Sequence, residues 1–528
     1  MEQRRLLLAF VISFVVIIVY EQFVQSRYKR PQVPPRTQAA PDQTSAPGAT
    51  LPVTPPPSEL AEPADHAQTV HVDTDVMRLT ITRTGARLAD IELKAYRRTI
   101  AADSEPLDLI QPAPILPGTL QIGADASDAH LTYAADRSDV VLHGDDTAEI
   151  VLSADSPQGV HIEKRYRFKG NQYVFDVTAT LEGGTPPPSL GFVITPIHGD
   201  APTAASDVGV ALVNRRLTTK ALKDLAKAPI QVDGSAWAGF ATQYFMAAAI
   251  PMSGASTATF TVSDGVPLVR VDAPIADGRA SFEVYTGPKD RDVLTQANHD
   301  LDRALDFGTF WFVAVPLLRA LRLIHKATGN YGVAIIVLTA LVKVATAPLT
   351  RTTFRNMREM QKIQPQMAKL RERFKDDQVA LQKEMMELYR RHRVNPLSGC
   401  LPMLLQFPIF IGLYNALSHA IELRHEPFAL WINDLSSPDR LPVPWIPPST
   451  PLIGGGIPVL TLLMGASMFV QQWLTPQQGD PTQQRMMMLT PLIFTFMFIN
   501  FPAGLVLYWL VNNVLTIGQQ YLMMRSAT

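Results

Sequence analysis

Lys343 is the one charged residue between Gly332 and Leu349, in an otherwise apolar run. It lies about ten residues into that run and about seven from its other end, so an α-helix there would hold it roughly 10 Å from the nearer end at 1.5 Å per residue. A cation near the centre of a bilayer costs about 2.5–3.5 kcal/mol on insertion scales. Snorkelling, in which the stem lifts the ammonium part of the way to the headgroups, is one account of it. The surroundings favour another. Thr339 precedes Lys343 by one turn and Thr346 follows by nearly one, on the same face. Tyr508, Asn512, Thr516 and Gln519–Gln520 make a polar stripe at four-residue spacing along another apolar segment, and Gln406, Asn415, Gln471 and Gln472 add polar groups from two more. Such groups persist at membrane depth when they face protein or water. Interhelical hydrogen bonds would explain part of the stripe, but not the lysine. The pattern describes a wet cavity with one positive charge, and its chemistry is electrostatic attraction.

Covalent chemistry finds no support. No phosphate-binding Gly loop, zinc spacing or nucleophile elbow occurs, so no catalytic residue, metal site or cofactor is expected. The single cysteine, Cys400, excludes an intramolecular disulfide and a cysteine-rich metal site. A net charge of −1 argues against a globally basic nucleic-acid binder. The chain is not expected to be an enzyme.

The elements that would carry these residues follow from where charge is missing. Of 528 residues only 18% are charged and 47% are hydrophobic, below the roughly 25% charge of an average soluble domain. Residues 1–25 read as an uncleaved signal anchor: Arg4 and Arg5 precede an apolar run that lacks the small residues of a cleavage site. Residues 26–68, rich in Pro, Ala, Thr, Ser and Gln, read as a flexible linker. Short alternating runs such as Val70, Val72, Val76, Leu79 and Ile81 predict an antiparallel β domain over 69–290. Residues 302–328 hold an amphipathic helix, with Arg319 and Arg322 three apart, that would lie at the membrane interface. Spans follow at about 332–350, 400–421, 457–474, 486–501 and 503–523, each near the ~20 residues a spanning helix needs. With the anchor, six are expected.

Residues 351–393 carry 12 Lys/Arg against 6 Asp/Glu, which places this segment on the cytoplasmic side. Both termini are then cytoplasmic and the β domain outside. Met357, Met360, Ile363, Met367 and Leu370 recur at helical spacing, as do Val379, Met386 and Tyr389 beyond Lys375-Asp376-Asp377. The segment 351–396 therefore reads as a helical hairpin. Its methionines either form the seam between its arms or, being unbranched and polarizable, offer Met357, Met360, Met367 and Met386 to varied apolar partners.

Several motifs carry a resemblance. Gly329-Asn330-Tyr331-Gly332, Pro348-Leu349-Thr350, Asn395-Pro396-Leu397-Ser398-Gly399-Cys400-Leu401-Pro402, Gln406-Phe407-Pro408-Ile409-Phe410, Pro427-Phe428-Ala429-Leu430-Trp431-Ile432 and Phe501-Pro502-Ala503-Gly504-Leu505-Val506-Leu507-Tyr508 resemble the YidC membrane-protein insertases, with order and spacing kept. The resemblance implies the long form of bacteria with two membranes. That form is an α-helical polytopic inner-membrane protein with six transmembrane helices, five of them the conserved core (329–525 here), plus a periplasmic all-β supersandwich domain. It implies a hydrophilic groove open to cytoplasm and lipid and closed toward the outside, where a positive residue attracts the acidic tail of an incoming protein. Lys343 falls where the family usually has arginine, and Thr339 on a groove position, beside the polar residues Gln406, Tyr508, Asn512 and Thr516. Phe407, Phe410 and Trp509 fall on the substrate slide, Trp509 in place of a more usual tyrosine. The implied partners are nascent membrane proteins, the Sec translocon with its accessory subunits, and the lipid bilayer. The ribosome stays open as a further partner, but contact through a strongly basic C-terminal tail is not expected, because the chain stops at Arg525-Ser526-Ala527-Thr528. The rival reading is a secondary transporter coupling through Lys343, which would usually show paired repeats and broken helices.

Overall fold

A computed structural model describes residues 68–122, 126–184, 187–198, 208–254, 256–374, 377–392, 401–447, 450, 453–474 and 481–525. The anchor at 1–25 and all of the linker but Gln68 lie outside them. The described residues fall into two compact units. One comprises 68–97, Pro106–Gly287 and Ala297–Asp300; the other comprises Arg98–Glu105, Pro288–Gln296 and the residues from Leu301 onward.

The first unit is β structure. A five-stranded sheet runs in the order Pro106–Asp108, Arg87–Arg97, Met77–Thr82, Thr69–Asp73, Asp139–Val141, and a 14-stranded sheet holds most of the remainder. Alternation explains the strands: in Met77–Thr82, Met77, Leu79 and Ile81 are buried and Arg78 is exposed. The pairing is antiparallel, as expected, except that Thr69–Asp73 runs parallel to Asp139–Val141. The strand Phe245–Pro251 is buried throughout, so neither face is free for polar residues. Its neighbour must come close. A Cβ on Gly239 would stand 1.9 Å from the Ala247 carbonyl oxygen, which leaves glycine as the residue that fits.

His161–Lys169 turns Ile162, Lys164, Tyr166 and Phe168 inward. Lys164 is fully buried. Its Nζ lies 2.6 Å from Asp128 Oδ2 and donates to the carbonyls of Gly85 and Gly118, each at 2.7 Å. The Tyr133 hydroxyl and the Leu120 amide donate to the same carboxylate, each at 2.8 Å, while Tyr166 donates to Ala86 O at 2.7 Å. Burial drives the Lys164 ammonium below its ordinary value, against the pull of Asp128. These bonds tie the larger sheet to the turn between two strands of the smaller one.

The second unit is helical, with α1 at Trp311–Thr328, α2 at Tyr331–Arg373, α3 at Gln378–Arg391, α4 at Leu401–His419, α5 at Val459–Leu474, α6 at Pro481–Phe498 and α7 at Ala503–Arg525. α7 packs on α2 and α5, α1 on α2 and α4, and α5 on α6. Among the described residues, Tyr331–Thr352 is the stretch long and apolar enough to cross a membrane by length and composition; Val459–Leu474 and Met488–Phe498 are shorter apolar helices. The expected span at 332–350 and the first hairpin arm form one continuous helix of 43 residues. The Gly329-Asn330-Tyr331-Gly332 run has a local logic. Gly329 ends α1 in the left-handed region at φ 66°, and the Asn330 side chain accepts from Val333 N to start α2.

A polar seam and a stitched helix end

α2 and α7 bring the lysine and the polar stripe together. Lys343 Nζ donates to Thr516 Oγ1 at 2.7 Å, and Thr516 Oγ1 donates to Asn512 O at 2.6 Å. Four-residue spacing on α7 makes this possible, since residues one turn apart share a face. Tyr508, one turn before Asn512, is buried and accepts from Gln406 Nε2 of α4 at 2.7 Å. Thr339 is buried on α2 and donates to its own helix at Ile335 O. Lys343 itself is half-buried. α4 to α7, and α2 as far as residue 358, contain no Asp or Glu, so among the described residues no carboxylate pairs with this cation. A lysine has three donors, and Thr516 takes one.

The aromatic trio divides. Phe410 and Trp509 meet edge-to-face at 4.6 Å between centroids, and Phe498 and Phe494 lie against Trp509 at 5.1 and 5.8 Å. Phe407 is 57% exposed and touches Phe310 instead. In the hairpin, Met360 is buried with Ile363, and Met367 and Tyr389 pack against them. Met360 thus serves the hairpin's own core rather than an open surface. Met386 is exposed, and the Met357 side chain lies outside the described residues.

Three constructions were not foreseen from the sequence. The first is at the end of the bundle where α2, α5 and α7 begin. Asp439, 2% exposed, accepts from Trp431 Nε1 at 2.6 Å and from Leu460 N and Thr461 N at the start of α5, at 2.5 and 3.3 Å. Arg440 donates to Ile499 O, just past α6, at 2.8 Å and to Asn500 Oδ1 at 2.9 Å. Ser437 O and Leu435 O accept from Ala503 N and Gly504 N, the first amides of α7. Asn330 Nδ2 donates to Pro427 O and Phe428 O, and a Cβ on Gly332 would meet the Phe428 ring at 2.0 Å. One segment, from Pro427 to Arg440, therefore caps or contacts four helices. The acid sits at a positive helix end and the base at a negative one, as the helix dipole favours.

The second is around Arg322, expected at a membrane surface. It pairs with Asp290 at 3.0 Å, Asp292 at 2.9 Å and also Glu422. Burial pushes the Glu422 carboxyl up, opposed by Arg322. The third is Asn513, which donates to Ser467 Oγ at 3.0 Å, both residues buried, on a different face of α7 from Asn512. The Asn330 cap had a readable signal, an Asn directly before a helical run. Asp439 had none, since the helix it caps begins about twenty residues later and only the fold brings them together.

Known proteins resemble this chain along its length. A family model described as 60Kd inner membrane protein matches residues 323–528, and one described as YidC periplasmic domain matches 69–320. The membrane protein insertase YidC of Geobacter metallireducens is 36% identical over 538 residues, covering 98% of this chain and 97% of that relative. The protein of the same name from Pelobacter propionicus is 37% identical over 540 residues, covering 98% of each. A solved structure of an active YidC insertase with its first transmembrane domain resolved covers 86% of this chain and 92% of its own, at 18% identity and a TM-score of 0.38.

Proposed function

The chain belongs to the YidC family of membrane protein insertases, and we propose that it inserts membrane proteins through a groove between α2, α4 and α7 whose one cation is Lys343. The observation that carries this reading is an ammonium held by Thr516, with no Asp or Glu in α4, α7 or α2 as far as residue 358. With no carboxylate partner among the described residues, it is available to the acidic tail of an incoming chain. Thr339, Gln406, Tyr508, Asn512 and Thr516 keep water in the groove, which shortens the apolar distance the tail must cross. Phe410 and Trp509 form the slide along which the apolar segment passes into lipid, and Phe407 extends it from its exposed position.

The chain is an inner-membrane protein with a periplasmic domain. The finer topology is part of the proposal: six spans counting the anchor at 1–25, both termini and the hairpin 351–396 cytoplasmic, the β domain a periplasmic supersandwich after the linker 26–68. Its 12 Lys/Arg against 6 Asp/Glu support a cytoplasmic hairpin. The Pro427–Arg440 segment then lies on the outer side, where α1 (Trp311–Thr328), within the expected 302–328, lies at the membrane interface. Met386 offers a contact for nascent chains, and the Sec translocon is the expected neighbour as substrates leave. The protein works without covalent catalysis, driven by hydrophobic transfer and the membrane potential. The transporter alternative gains nothing from these relatives.

Reconstitution tests this directly. Proteoliposomes holding the full chain should protect the translocated tail of a small acidic-tailed membrane protein from added protease, and empty liposomes should not. Equal protection in both would refute the function.

A further inference from the structure

We propose that the segment from Pro427 to Arg440, keyed by Asp439, is the seal that keeps the groove shut toward the periplasm. The inference rests on the groove reading above. A cavity that holds water between helices must end somewhere before the outer surface, or it becomes a pore. The groove residues point to where. Tyr508 stands eight positions before Thr516 on α7, about 12 Å nearer the outer end at 1.5 Å per residue. Its hydrogen bond to Gln406 joins α4 to α7 at that level. Beyond it stand Leu505, Val506 and Leu507, all buried, and then the stitched end.

What holds that end closed is unusual in its concentration. A single carboxylate, almost wholly buried, receives three donors from two elements: the Trp431 indole and two amides opening α5. The next residue holds the carbonyl that follows α6. Two carbonyls three and five residues before Arg440 take the first amides of α7. The α5 and α7 amides and the Ile499 carbonyl are orphans of helix ends that would otherwise need water. Satisfying them from within one loop excludes water from the outer end. Removing the Asp439 carboxylate leaves the Trp431 indole and the α5 amides without their acceptor, and the remedy available to buried donors is hydration. The seal then opens to solvent instead of merely weakening.

Mere helix stabilisation would not change access to the groove from outside, and this separates the two roles. In a Cys400→Ser background, Thr516→Cys supplies a thiol in the groove of the full chain in inverted or right-side-out membrane vesicles. A membrane-impermeant maleimide should label it from the cytoplasmic side and not from the periplasmic side. Adding Asp439→Ala should raise periplasmic labelling about tenfold or more, the population shift that unpaired buried donors produce, with cytoplasmic labelling unchanged. Trp431→Phe, which removes one donor, should give a smaller rise, and it carries the test if Asp439→Ala does not accumulate. Periplasmic labelling that stays at the parent level in both variants overturns the seal while leaving the groove intact. Absence of cytoplasmic labelling in the parent overturns the groove, and the seal with it.

Discussion

Lys343→Ala is the perturbation whose size can be worked out in advance. The ammonium is half-buried and its hydrogen bond goes to a neutral hydroxyl, so among the described residues no internal carboxylate competes for it. A tail carboxylate entering the groove to about 5 Å would feel roughly 3 kcal/mol of attraction at an effective dielectric of ~20, and about 0.8 kcal/mol if the groove is as polarisable as bulk water. At about 1.4 kcal/mol per decade, removing the charge should slow capture of a singly acidic tail by a factor between about 4 and about 200. Lys343→Arg keeps the charge and should remain within about threefold of the parent, since a point potential rather than two-pronged pairing is required. The assay is initial insertion rate in proteoliposomes, for one substrate with an acidic tail and for its twin with the acids replaced by amides. The twin should insert more slowly and be indifferent to Lys343→Ala. If both substrates lose the same factor, or if neither loses any, the electrostatic account is wrong.

Other expectations concern stability and contact. Lys164→Met leaves the Asp128 carboxylate buried without its cation and should cost about 3–5 kcal/mol in denaturant unfolding of the full chain, and adding Asp128→Leu should recover only part of it, because the Tyr133 hydroxyl and the Leu120 amide then lose their acceptor. Glu422 is held above the ordinary carboxylate range, so its contribution is complete below that range and is lost as pH rises through the raised value. Glu422→Gln should therefore gain stability over the parent at high pH, with the gain vanishing by about pH 4 in pH-dependent melts. Met360→Ser should loosen the hairpin in hydrogen exchange, while Met386→Ser should leave exchange unchanged and reduce crosslinking to nascent chains; the reverse pattern would place the substrate-facing side wrongly.

The two levels of structure were unequally legible. A lone charge in an apolar run is conspicuous, and polar residues four apart must share a helix face, so Lys343, Tyr508, Asn512 and Thr516 are legible in the sequence. Which groups bond across helices could not: Gln406 reaching Tyr508 depends on how α4 packs, which no local pattern encodes. The same limit applies to the aromatics. Phe407 and Phe410 are three apart, yet one faces Phe310 and the other Trp509. In the β unit, alternation located the strands, and Lys164 falls in phase with Ile162, Tyr166 and Phe168, but alternation does not say what partners a buried lysine would find. Lys164 points inward because Asp128 and two carbonyls, from segments distant in sequence, converge on it. Arg322 was legible as a charge on an amphipathic helix, but not its pairing with Asp290, Asp292 and Glu422, which lie far from it in sequence.

Site-specific photocrosslinking of α7 to an arrested nascent membrane protein bears most directly on the groove. A photoreactive residue at 512 should capture the acidic tail, and one at 509 the apolar segment. Position 514, exposed on another face of the same helix, should capture lipid but little substrate. Substrate adducts of equal yield at 512 and 514, or none at 512, would contradict a groove between α2, α4 and α7.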